Sequence, residues 1–179
     1  YVGAEVTIGS YLVNYFLDMY LADVIKSNSF LNQMLSSFHG SHLSLIDDKA
    51  IVGTFVVLYW SGAMVGRFVG SYLTNIFEAA KVLGVFAMLA ILSIVISIST
   101  DGLMAMWFIL AVGLFNSIMF PTIFSLAIEG LGELKPHGSG LLCTAIAGGA
   151  FLPPLYGLFT DLSGFKVAFI LIIMCYAYS

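Results

Sequence analysis

Residues 102–128 contain no Asp, Glu, Lys or Arg. As a helix such a run rises about 40 Å at about 1.5 Å per residue, more than the roughly 30 Å of hydrocarbon in a bilayer. Few structures can accommodate it: a helix crossing lipid satisfies its backbone groups internally, whereas irregular backbone there is left without hydrogen-bond partners. The middle of the run is nevertheless polar, carrying Asn116, Ser117, Pro121, Thr122 and Ser125. Pro121 has no N–H, so the carbonyl of Ser117 loses its helical partner and the helix is expected to bend there. The polar groups read in two ways. They are packing groups beside a proline kink, or Asn116 lines a path for a solute, because polar groups at membrane depth belong on a protein-buried or wet side.

The rest of the chain has the same character. It is 60% hydrophobic and 9% charged with a mean hydropathy of +1.04, against about 25% charged residues in a soluble domain, so it reads as an integral membrane protein. A net charge of −4 offers no basic stripe for nucleic acid. Strand-like alternation is absent, which excludes a β-barrel. Charges and turn residues divide the chain into six apolar runs, at about 2–23, 50–75, 80–99, 103–128, 139–160 and 167–179, with a polar loop over 24–49 and another over 129–137. The fold class is therefore an all-α, polytopic transmembrane bundle. The chain opens on Tyr1 rather than Met, and its sixth run stops at Ser179, too short to span. It is expected to be a piece of a longer protein. Arg67, Lys81 and Lys135 fall on one side and Lys26, Lys49 and Lys166 on the other, a tie that leaves the orientation open.

On a helical wheel Thr7, Ser10, Tyr11, Asn14 and Asp18 share one face of the first run, which predicts an amphipathic helix with its polar side inward. Glu5 lies about 180° from Asn14, so it joins that face only if the helix breaks near Gly9. An acid at this depth is a functional candidate because its charge is expensive in lipid unless paired; pairing with Arg67 or reaching the headgroups is the structural alternative. Gly62, Gly66 and Gly70 form a small-residue ridge that admits a neighbouring helix closely, and the wheel sets Trp60, Arg67, Ser71 and Thr74 opposite it. Tyr59 and Trp60 lie well inside their run, either as core or as a platform for the apolar face of a sugar ring. Gly148, Gly149, Pro153 and Pro154 mark a hinge in the fifth run. His39 and His42 have no third ligand in view, and no nucleophile–base pair or phosphate loop stands out. Neither a metal, a cofactor nor enzyme chemistry is expected.

Three stretches also carry a resemblance. Tyr1-Val-Gly-Ala-Glu-Val-Thr-Ile-Gly-Ser-Tyr-Leu-Val-Asn-Tyr15 resembles the start of the seventh helix in the glucose/galactose branch of the fucose–galactose–glucose:proton symporter family, within the major facilitator superfamily. Gly62-Ala-Met-Val-Gly-Arg-Phe-Val-Gly-Ser71 resembles the eighth helix and the turn after it, and Phe115-Asn-Ser-Ile-Met-Phe-Pro-Thr-Ile-Phe-Ser125 is similar to the tenth. Gly66-Arg67 resembles the superfamily's cytoplasmic loop motif, from which it departs in having no Asp before Arg67.

The resemblance implies a twelve-helix transporter of the cell (inner) membrane, of which this chain is the carboxyl-terminal six-helix half with its last helix truncated. It places Arg67, Lys81 and Lys135 on the cytoplasmic side, Arg67 in a loop. It implies cation-coupled uptake of a hexose, glucose or galactose, with a proton or in some members sodium as the coupling ion. The implied partners are the sugar, the coupling ion, the lipid bilayer and the amino-terminal half, which holds the family's coupling carboxylates. Asn14 and Asn116 would hydrogen-bond sugar hydroxyls, Tyr59 or Trp60 would meet the ring, and Glu5 would be a polar element of the cavity. Two other readings stand beside it: a non-transporting sugar sensor or structural helical subunit, and a drug-type exporter, for which amides are an unusual pocket lining.

Overall fold

A computed structural model describes residues 1–39 and 47–178; His42 lies outside the described residues. Ten α-helices make up the described chain: α1 Val2–Asp18, α2 Leu21–Ser27, α3 Ser29–His39, α4 Asp48–Ile76, α5 Ala79–Ser99, α6 Gly102–Asn116, α7 Met119–Ile128, α8 Lys135–Ala145, α9 Leu152–Ser163 and α10 Phe165–Tyr178. No strand occurs among the described residues. Four segments are long and apolar enough to cross a membrane: Asp48–Ile76, Ala79–Ser99, Gly102–Ile128 and Gly132–Ser163, with Phe165–Tyr178 a shorter apolar helix. The chain is a multi-pass membrane protein.

Two of these segments are interrupted for local reasons. Helices α6 and α7 are separated by Ser117 and Ile118, four and three residues ahead of Pro121, because the carbonyl of Ser117 has no N–H to meet at position 121. Helices α8 and α9 are joined through a 3-10 segment, Ile146–Ala150, that contains Gly148 and Gly149. Pro153 and Pro154 follow in the first turn of α9, where a missing N–H costs no internal hydrogen bond. Pro136 plays the same part in α8, so the helix begins inside the stretch expected to be a loop up to residue 137.

The polar loop over 24–49 is corrected more extensively. Tyr20 takes a left-handed conformation (φ 51) that ends the α1 axis and starts α2. Asn28 then caps α3: its side-chain oxygen accepts from the backbone N–H of Phe30 (3.2 Å) and of Leu31 (3.3 Å), the N-cap arrangement that begins a helix. Leu31 and Leu35 bury the inner face of α3, and Lys26 reaches Asp48 at the start of α4 (2.6 Å).

The core sits where α6 packs against α4 and α5. Ala105, Met106, Ile109 and Val112 of α6 are fully buried there. Glycines set the closeness of the α4–α6 crossing. A Cβ on Gly66 would run into the backbone oxygen of Leu114 and the hydroxyl of Ser117, one on Gly70 into Ile118, and one on Gly113 into the backbone and ring of Tyr59. Arg67, Ser71 and Thr74 flank this ridge rather than opposing it, since all three line one groove with Ser117 and Thr122. A second polar tie holds the other side of the core. The Ser97 hydroxyl donates to the carbonyl of Ala105 (2.9 Å) and lies 3.3 Å from the Tyr15 hydroxyl, linking α1, α5 and α6.

Gly66→Ala should destabilise the protein by about 1–3 kcal/mol, because its new methyl meets a backbone carbonyl that cannot move aside as a side chain can. Gly84→Ala, whose Cβ would meet nothing within 4 Å, should be neutral or stabilising by up to about 1 kcal/mol. Thermal unfolding of the two purified variants in detergent measures the contrast.

Candidate functional site

The interruption at residues 117–118 leaves the last carbonyls of α6 without helical donors, and the structure meets that need from other helices. The Tyr1 hydroxyl donates to the carbonyl of Asn116 (2.6 Å). The Asn116 side chain, 1% exposed, donates through Nδ2 to the Tyr59 hydroxyl (3.0 Å) and accepts at Oδ1 from the Tyr176 hydroxyl (2.7 Å). One asparagine therefore joins α4, α6, α10 and Tyr1 at the N-cap of α1. A buried amide satisfied on both ends is fixed in orientation, since any rotation would strand polar groups in a low-dielectric interior.

In front of this network lies a cavity of about 200 Å³ lined by Tyr1, Val2, Glu5, Arg67, Ser117, Phe120 and Ile146. A groove of about 400 Å³ adjoins it, sharing Arg67 and Ser117 and adding Ser71, Thr74, Thr122 and Ser125. Glu5 is half-buried and Arg67 exposed. They face the same cavity without forming an ion pair; among the described residues the ion pairs are Lys26–Asp48, Lys81–Glu78 and Lys166–Asp101. Among the described residues no cluster of His, Cys, Asp and Glu could hold a metal ion.

The residues singled out in the sequence are therefore distributed unevenly. Glu5, Tyr59 and Asn116 converge at the helix interruption. Asn14 does not: it is exposed, and with Tyr11, Asp18, Thr160 and Asp161 it lines a separate cavity of about 460 Å³ between α1 and α9. Nine residues on a straight helix put Glu5 and Asn14 about 13.5 Å apart along the axis, and α1 runs without a break from Val2 to Asp18. The expected break at Gly9 is thus corrected. Gly9 instead leaves room for the Trp60 ring, 3.1 Å from where its Cβ would stand. Of the polar face drawn on α1, Ser10, Asn14 and Asp18 are exposed, whereas Thr7 is fully buried, its hydroxyl donating to the carbonyl of Gly3 (2.6 Å). Tyr59 presents no open ring face: it is 1% exposed, and Trp60, half exposed, stands edge-on to it at 5.4 Å. Arg67 is corrected from a loop position to the interior of α4, nine residues before the helix ends at Ile76. Ser117, in the sequence only a polar group beside the kink, lines both spaces. Its place as the residue whose carbonyl Pro121 abandons was the available signal that it sits at the interruption.

No family model matches the chain. The glucose/galactose transporter of Brucella abortus is 44% identical over 178 residues, covering 99% of this chain and 38% of that protein. The putative glucose/galactose transporter of Helicobacter pylori is 40% identical over 183 residues, covering 99% and 39%. The L-fucose-proton symporter of Escherichia coli is 30% identical over 164 residues, covering 92% and 32%. A crystal structure of the E. coli fucose:proton symporter FucP, a major facilitator superfamily transporter, superposes with a TM-score of 0.81 at 26% identity, over 99% of this chain and 38% of that one. The chain belongs to this sugar:proton symporter family of the major facilitator superfamily. It spans a little under two-fifths of the length of the curated relatives it matches, and its bundle is the carboxyl-terminal half of the superfamily fold.

Asn116→Ala should cost about 1–3 kcal/mol of stability, because it strands the Tyr59 and Tyr176 hydroxyls in a buried site. Asn14→Ala, at an exposed position, should stay within about 0.5 kcal/mol. Melting temperatures of the two variants in the full-length protein check the difference.

Proposed function

We propose that this chain is the carboxyl half of a proton-coupled hexose transporter that takes up glucose or galactose through the cell (inner) membrane. The observation that carries the reading is the cavity at the α6–α7 interruption. It places Glu5, Arg67 and Ser117 together inside an otherwise apolar bundle. Maintaining an acid there costs about 2.5–3.5 kcal/mol on membrane-insertion scales, and such groups ordinarily mark a solute or ion path. The relatives support hexose as the solute: two bear glucose/galactose in their names, and a third is named for proton symport of L-fucose. A proton is favoured over sodium by that third name.

In this reading the sugar meets groups from both halves, and alternating access rocks one six-helix bundle against the other around it. Glu5 contributes polarity from α1. Trp60, half exposed beside Gly9, offers an aromatic edge from α4. Tyr59 and Asn116 act through the network that holds the interruption open, and Asn14 serves a separate, outer part of the path. Gly148, Gly149, Pro153 and Pro154 give the fifth span a place to flex.

The full-length protein in proteoliposomes should accumulate labelled glucose or galactose when an inward proton gradient is imposed, and a protonophore should abolish the accumulation. The present chain alone should give no saturable uptake. Accumulation driven by a sodium gradient alone would overturn the proton assignment, and hexose uptake by the isolated chain would overturn the half-transporter reading.

A further inference from the structure

The Asn116 side chain is placed to read a sugar by the sequence but is occupied in the structure, its amide on Tyr59 and its oxygen on Tyr176. The next residue is in the opposite condition. Ser117 is 3% exposed, and its hydroxyl has no hydrogen-bond partner among the described residues. A buried hydroxyl left unpaired is costly, and pairing with a solute would recover that cost. Ser117 lines both the cavity that holds Glu5 and the groove that holds Ser71 and Ser125. It stands against Gly66, the position at which any side chain would collide with it.

Arg67 follows Gly66 on α4 and lines both spaces as well. It is exposed and makes no ion pair among the described residues. Its guanidinium carries donors in a rigid fork, suited to two adjacent oxygens. Glu5, across the cavity, supplies acceptors and no donors when ionised. Phe120 adds an apolar wall. A donor fork, a carboxylate, a hydroxyl able to donate or accept and an apolar wall together match a polyol, whose vicinal hydroxyls each donate and accept along one edge while the C–H face stays apolar.

We propose that Glu5, Arg67 and Ser117 form a hydroxyl-reading subsite for the hexose in this half, and that Asn116 with its three tyrosines is the scaffold that positions it. The proposal rests on the reading of the full protein as a hexose transporter. Ser117 and Arg67 become specificity-determining residues, and Asn116 a positioning residue that holds the end of α6.

The test uses the full-length protein, equilibrium binding of glucose and galactose, and a series of monodeoxy analogues. Ser117→Ala should weaken hexose binding by about tenfold, the loss of one hydrogen bond. It should also lose discrimination against one analogue, binding the hexose and that deoxyhexose alike where the parent separates them. Arg67→Lys, which keeps the charge but not the fork, should weaken binding with discrimination lost at a different hydroxyl. If a variant does not fold, Ser117→Cys in a Cys143→Ala, Cys175→Ala background should be labelled by a water-soluble thiol reagent, with hexose slowing the reaction. A parent that transports hexose while Ser117→Ala and Arg67→Lys keep its affinities and its analogue pattern overturns the subsite, as does labelling at position 117 that ignores hexose. A parent that neither binds nor transports hexose overturns the transport reading itself.

Discussion

The interruption of the α6–α7 helix at Ser117 and Ile118 governs much of the molecule's polar architecture. Lipid offers no hydrogen bonds to a carbonyl released by Pro121 or by the end of α6. The released groups have to be met by side chains from other helices or by a wet cavity, and both solutions occur side by side. The carbonyl of Asn116 accepts from Tyr1, and the Asn116 amide is closed by Tyr59 and Tyr176. Immediately beyond it, Ser117, whose buried hydroxyl is unpaired, and the exposed Arg67 border the two spaces. A rigid, fully bonded wall thus stands directly behind a set of available polar groups. That arrangement is what pre-organised recognition requires, because the scaffold does not have to be ordered again when a solute enters.

The glycine ridge of α4 serves the same place. Gly66 and Gly70 bring the α4 backbone against Leu114, Ser117 and Ile118, and Gly113 returns the favour by admitting Tyr59. In lipid, where apolar burial gives no net drive between helices, such close approach and interhelical hydrogen bonds are the main sources of association. The contacts that hold α4 to α6 are therefore also the contacts that carry Arg67 to the cavity. By contrast α8 buries none of its residues against the rest of the bundle. Its apolar sides are free for lipid or for further protein.

The membrane class, the all-α fold and the position of the helix interruption follow from chemistry local to the chain. A charge-free run must be helical in lipid, and a proline removes one donor at a defined carbonyl; neither statement depends on what lies opposite. The N-cap of α3 was legible on the same terms, since Asn28 precedes a segment with Leu31 and Leu35 at helical spacing, although its polar composition reads first as a loop. Resemblance at residues 1–15, 62–71 and 115–125 reached the family as well.

Which polar groups are consumed and which remain available was decided only in three dimensions. The helical wheel assigns Glu5 and Asn14 to opposite faces but says nothing of two separate cavities, one against α4 and α7 and the other against α9. The sequence singles out Asn116 and leaves Ser117 as a polar group beside the kink. Tyr1 and Tyr176, far from Asn116 in sequence, close the network around the first, while the second keeps its hydroxyl unpaired. Hydrogen-bond satisfaction is a property of partners brought together across helices. The sequence by itself determined that a polar break would lie within the membrane, and the tertiary packing determined which side chains at the break would be paired and which would stay unpaired.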